Sequence, residues 1–158
     1  MANSSLDGHI INKITITPVE NYFGSPRKGR IIGRNAKMEN YGLNQREWLL
    51  QVSTDSGLTG LSNARPAMNK GSIEGLVNDF QDLIGKKLSE FFNVSGGRVT
   101  SINPRWSDLI DRYGFLDVAL FDLIGQALGQ PAYSLLGDKV RDKVEGYDSS
   151  LYFQDLVN

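Results

Sequence analysis

Two short stretches of the chain carry apolar side chains at the spacing of half-buried strands. Ile10, Ile14 and Ile16 interleave with Lys13, Thr15 and Thr17, and Trp48, Leu50 and Val52 interleave with Leu49, Gln51 and Ser53. Pro18 is expected to end the first strand. After the second, Asp55-Ser56-Gly57 supplies a turn and Leu58 to Leu61 returns as an antiparallel partner, with the first strand joining as a third.

From Ile73 onward the period becomes helical. Ile73, Leu76, Val77, Phe80, Leu83 and Ile84 form one stripe, Ser72 is placed to cap its start, Glu74 lies near the positive end of its dipole, and Gly85 closes it. Leu88 to Phe92 fits a short helical turn, while Val94 to Ile102, containing Ser95-Gly96-Gly97, reads as loop. Asn103-Pro104 opens a further helix with Trp106, Leu109, Ile110 and Tyr113 on one face, and Gly114 interrupts it. Between Leu116 and Leu128 apolar residues run almost all the way round, broken by Asp117, Asp122 and Gln126; this is the helix that the other elements enclose. Gly129 and Pro131 stop it. Pro131 fits the first turn of a second, short helix, Gly137 is the expected left-handed terminator of that helix, and Lys143 to Ser150 reads as a strand.

Two loops stand out from this pattern. Glu20 to Gln45 has no sustained periodicity and is punctuated by Gly24, Pro26, Gly29, Gly33 and Gly42, a length more typical of functional or disordered segments than of connections. Its Arg27, Lys28, Arg30, Arg34 and Lys37 face only Glu20 and Glu39, with Tyr22, Phe23 and Tyr41 interleaved. The second loop spans Ser62 to Lys70.

Composition narrows the function classes. The 158 residues carry a net charge of −1 and a pI near 5.8, which gives no electrostatic reason to bind nucleic acid or an anionic membrane. Without cysteine there is no disulfide framework, thiolate metal site or thiol nucleophile. The N-terminus lacks the apolar core of a signal peptide and no apolar run is long enough to span a bilayer, so a soluble cytoplasmic protein is expected. His9 is the sole histidine and reads as a surface residue. Asp108, Asp111 and Asp117 read as a solvated face. Asp122, inside the enclosed helix, is expected to be mostly buried and to accept hydrogen bonds from backbone N–H groups or from a base such as Arg141, because an unpaired buried carboxylate is costly.

The run Asp117, Ala119, Leu120, Asp122, Leu123, Gly125, Gln126, then Pro131 and Leu135-Leu136-Gly137, resembles the signature of the mandelate racemase and muconate lactonizing enzyme family within the enolase superfamily. Arg112, Phe115 and Ala132 depart from it, and Lys143 to Ser150 resembles the first barrel strand of such enzymes. The resemblance implies an α+β fold: a three-stranded antiparallel meander followed by a helical bundle, forming an N-terminal cap over residues 1–140. Residues 141–158 would begin a (β/α) barrel, whose completion needs roughly 250 further residues. The two loops would cover the barrel mouth, with Tyr22, Arg27, Arg30, Arg34, Asn63 and Arg65 as substrate-binding residues, since arginine can hold a carboxylate bidentately.

For the parent enzyme the resemblance implies a carboxylic-acid substrate and removal of its α-proton, by a racemase, epimerase, cycloisomerase or sugar-acid dehydratase. It implies Mg²⁺ bound by barrel carboxylates beyond Asn158, contact with the chain's own barrel domain, and a homo-oligomer. No catalytic or metal-binding residue is expected within this span. The competing expectation is a stand-alone, non-catalytic binding or oligomerisation domain derived from such a cap, and the reading frame after Asn158 separates the two.

Overall fold

The computed structural model describes residues 5–22, 44–64 and 73–146, with backbone alone at 20–22, 44–46 and 73–74. Three strands, β1 (Ile11–Tyr22), β2 (Asn44–Thr54) and β3 (Thr59–Asn63), form an antiparallel sheet in the order β1-β2-β3. There follow α1 (Ile73–Gln81), a 3-10 turn at Leu88–Glu90, a two-stranded hairpin of β4 (Phe92–Ser95) and β5 (Arg98–Ile102), then α2 (Pro104–Arg112), α3 (Gly114–Leu128) and α4 (Ala132–Leu136). The fold is α+β, as expected. Two compact units divide the chain, Met1–Thr17 with Trp48–Val140, and Pro18–Glu47 with Arg141–Asn158. Among the described residues no helix is long and apolar enough to cross a membrane.

The core of the first unit is built on α3. Leu116, Ala119, Leu120, Leu123 and Ile124 are buried, as are Leu50 and Val52 of β2, Leu76 and Phe80 of α1, Trp106 and Ile110 of α2, and Leu135 of α4. Helix α3 lies hard against β3: a Cβ at Gly60 would stand 2.1 Å from the Ala119 carbonyl oxygen and 2.8 Å from Leu123 Cγ. Only a residue without a side chain permits that approach. The helix start is fixed by Tyr113, whose φ of −122° and ψ of 66° separate α2 from α3; its ring meets Phe80 and Phe115 edge to face at centroid distances of 5.2 and 5.7 Å, and those two rings are tilted against each other at 6.2 Å. Asn103 caps α2 by accepting from the Arg105 N–H, with Pro104 in the first turn. Gly129, at φ 66°, ends α3 in the left-handed conformation.

Several expectations are corrected. Strand β1 continues past Pro18 to Tyr22; it is an edge strand, so the missing N–H need not interrupt a ladder. The span from Val94 to Ile102 is not loop but most of a hairpin, closed by Gly96 and Gly97 at φ 59° and 76°, the two positive values that a tight two-residue turn requires. A register shift between Asn93 and Val94 breaks the alternation that would have marked it as strand. Helix α1 ends at Gln81, leaving Leu83 buried in the following turn and Ile84 exposed. Pro131 is the N-cap of α4 rather than a residue of its first turn, and Gly137 has φ 164°, which is extended rather than left-handed. Of the expected barrel strand, Lys143 to Gly146 is irregular and exposed, and the remainder lies outside the described residues. A strand exists through its ladder partners, and no described strand pairs with this segment. Ser72, the expected cap of α1, is also outside the described residues.

Candidate functional site

The outer edge of β3 is where sequence motif and geometry meet. Ala64 N–H donates to the Trp48 carbonyl and Thr54 N–H to the Leu58 carbonyl, so residues of that parity turn their backbone groups toward β2 or its turn. Thr59 and Leu61 turn theirs away. Asp122 and Gln126, one turn apart on α3, meet them there. Asp122 Oδ2 accepts from the Leu61 N–H at 3.0 Å, and Gln126 Nε2 donates to the Thr59 carbonyl at 2.8 Å and to Asp122 Oδ1 at 3.0 Å. The two side chains occupy the position of a missing neighbour strand. Asp122 is therefore partnered by backbone, as expected, but it is half-buried rather than mostly buried, and Leu61 and Gln126 rather than Arg141 fill that role.

Strand β3 takes in Ser62 and Asn63, which were expected to open the second loop; the rest of that expected loop, from Arg65 to Lys70, lies outside the described residues. The strand's last residue, Asn63, is exposed, and the next, Ala64, is fully buried and hydrogen-bonded to β2. Tyr22 is the last residue of β1, with its side chain outside the description. Arg27, Arg30, Arg34 and Arg65 lie outside the described residues altogether, so no distance relates the six expected substrate-binding residues to one another.

Other polar groups are structural. His9 has a companion that the sequence did not disclose: its Nδ1 lies 2.6 Å from Ser56 Oγ, which is 2.8 Å from Thr54 Oγ1. Alongside, the Ile10 N–H donates to Asp55 Oδ1 and the Asp55 N–H to the Ile10 carbonyl, clasping the N-terminal segment to the β2–β3 turn. The pairing spans 47 residues of sequence, and no local pattern announces it. Tyr113 donates to Asp79 Oδ2 at 2.6 Å, and Arg112 reaches the same oxygen at 3.2 Å; the Asp79 hydrogen bond, aided by burial, raises the pKa of the phenol. Gln130 donates to the Gly97 carbonyl at 2.5 Å, and Arg98 pairs with Asp138, tying the β4–β5 hairpin to the residues around α4.

Asp117 departs from the solvated face expected for it. It is half-buried, with Oδ1 enclosed and without a hydrogen-bond partner among the described residues, and burial, then the neighbouring Asp111 charge, raises its pKa. An open hollow bounded by Ile14, Ile16, Leu76, Val77, Phe80, Gln81 and Ile84 contains no titratable side chain. Among the described residues no three histidine, cysteine or acidic side chains converge as metal ligands, so these residues do not fit a bound Mg²⁺.

No family model matches the chain. It is similar to D-galactonate dehydratases: 30% identical over 122 residues to that of Pectobacterium atrosepticum, 32% over 125 residues to that of Ralstonia pickettii, and 33% over 114 residues to that of Xanthomonas axonopodis pv. citri. The first two matches cover 70% of this chain and 30% of the relative, the third 63% and 27%. The chain thus spans about a third of the length of the relatives it matches, in their N-terminal region. Over that shared stretch it is homologous to the N-terminal region of D-galactonate dehydratases, which are sugar-acid dehydratases of the mandelate racemase and muconate lactonizing enzyme family of the enolase superfamily.

Proposed function

We propose that this chain is the capping, substrate-specificity part of a Mg²⁺-dependent sugar-acid dehydratase, with residues 1–140 as the cap and 141–158 leading into the barrel. The observation that carries this reading is the similarity, at 30% or more, to the N-terminal region of several D-galactonate dehydratases. Such an enzyme removes the proton α to the carboxylate and then loses the β-hydroxyl as water. Mg²⁺ would stabilise the enediolate, from ligands outside the residues described here.

The cap's part is recognition. Arg27, Arg30, Arg34 and Arg65 supply guanidinium groups suited to a carboxylate, while Tyr22 and Asn63 supply hydrogen-bonding groups suited to sugar hydroxyls. Closing these loops over the substrate would exclude water and fix the α-proton against its base. A homo-oligomer and a cytoplasmic location belong to the same proposal.

The test uses the complete enzyme and the 158-residue chain, with galactonate and a panel of other sugar acids, with and without Mg²⁺. Measured quantities are solvent deuterium exchange at the α-carbon and formation of the dehydrated product. The complete enzyme is expected to turn over at least one sugar acid only with Mg²⁺, and Arg27→Ala, Arg30→Ala or Arg34→Ala to raise KM. The 158-residue chain is expected to be inert, because loss of a positioned base or of enediolate stabilisation typically slows such a step by orders of magnitude. Exchange catalysed by the short chain would overturn the division of labour. A reading frame that stops at Asn158 would favour a stand-alone binding domain instead.

A further inference from the structure

We propose that Asp122 and Gln126 are positioning residues, which hold the outer edge of β3 and thereby set the place of Asn63, the last residue of that strand. The proposal rests on the substrate-binding role given above to Asn63. The bracket itself stands on geometry alone.

The network uses both amide hydrogens of Gln126 and both carboxylate oxygens of Asp122. Gln126 Nε2 has two hydrogens, directed to the Thr59 carbonyl and to Asp122 Oδ1, and Asp122 uses its other oxygen for the Leu61 N–H. An exposed sheet edge offers unpaired groups that fray or pair with other chains; here two helix side chains take the neighbour's place. The bond to Leu61 is charge-assisted and ends two residues before Asn63. Gly60 brings the α3 backbone close enough for these side chains to reach, so the bracket and the Gly60 contact form one device.

The network also says which replacements break it. In Asp122→Asn, the new amide can present oxygen to only one of its two neighbours, the Leu61 N–H or the Gln126 NH₂. In Gln126→Glu, a carboxylate faces both the Asp122 carboxylate and the Thr59 carbonyl. Gln126→Lys keeps donors toward both oxygens and serves as the conservative rescue.

The experiment has two arms. In the 158-residue chain, amide hydrogen exchange is followed at Leu61 and Asn63, with Leu50 of β2 as internal reference. Asp122→Asn and Gln126→Glu are expected to raise exchange at Leu61 about tenfold relative to Leu50, and Gln126→Lys to stay near the unmodified chain. In the complete enzyme, the same two variants are expected to raise KM for the sugar acid more than they lower kcat, with recovery in Gln126→Lys. Leu135→Ala, buried in α4 away from the bracket, is the control for general destabilisation and is expected to leave KM unchanged.

Unchanged exchange at Leu61 in both variants would overturn the bracket, and an equal rise of KM in Leu135→Ala would overturn its positioning role. An unmodified complete enzyme that turns over no sugar acid counts against the proposed function alone, and exchange at Leu61 and Asn63 then decides the bracket.

Discussion

Replacing Gly60 by alanine adds one methyl group at the point where β3 touches α3. That methyl would sit 2.1 Å from the Ala119 carbonyl oxygen, against an ordinary carbon–oxygen approach of about 3.3 Å. The gap of more than about 1 Å cannot be absorbed by a rotamer change, because the nearest atom is helix backbone. Trimming Leu123, 2.8 Å away, would relieve only the second contact. Helix α3 must shift or tilt. Overpacking of this kind costs about 1–3 kcal/mol, and separation of α3 from β3 would also stretch the bonds from Asp122 and Gln126, worth about 1 kcal/mol each. The expected destabilisation is about 3–5 kcal/mol, a large share of the roughly 5–15 kcal/mol that holds an ordinary domain folded. Thermal unfolding followed by circular dichroism is expected to show Tm lowered by about 10 °C or more in Gly60→Ala. The double variant Gly60→Ala with Leu123→Val is expected to recover none of it. A Tm within about 2 °C of the unmodified chain, or full rescue by the Leu123 change, would refute the argument from backbone contact.

Two further outcomes follow from the titratable groups. Asp117 has its pKa raised above the ordinary 3.8 by burial and by Asp111, so its ionised form opposes folding above the folded pKa, and that penalty fades as pH falls toward and below 3.8. Asp117→Asn is expected to raise the urea midpoint at pH 7 by an amount equivalent to about 1 kcal/mol, discounted for its exposed side, and to lose that advantage near pH 3.5; an advantage that grows toward acid would refute this. The Tyr113 phenol, raised above 10.0 chiefly by its hydrogen bond to Asp79, contributes stability that is complete below pH 10 and lost as pH rises through the folded pKa. Tyr113→Phe is expected to cost about 1 kcal/mol at neutral pH and to flatten the alkaline fall in stability, and an unchanged alkaline limb would refute it.

The period of each long element was legible in the chain alone, because burying one face imposes a spacing of two on strands and close to four on helices. The stripe on α2, the alternation in β2 and the nearly continuous apolar run of α3 were all legible for that reason. The family was legible as well, since the spacing of Asp117, Asp122, Gly125, Gln126 and Leu135-Leu136-Gly137 is local and survives without coordinates.

Tertiary contact decided what the same residue types do. Asp117 and Asp122 both interrupt an apolar helix, and the sequence assigned Asp117 to a solvated face and Asp122 to the interior; in the fold both are half-buried, Asp122 meets the Leu61 N–H, and Asp117 Oδ1 meets nothing among the described residues. The β4–β5 hairpin was hidden because its register shift broke the alternation and its glycine pair reads equally as loop or as tight turn. His9 finds Ser56 only through the fold. Gly60 carries no periodic signal, since nothing marks a glycine as a point of helix contact until Ala119 is seen beside it. Periodicity records how much of a side chain is buried, whereas the partner's identity and atomic distance depend on segments far apart in the chain, and those only the tertiary structure brings together.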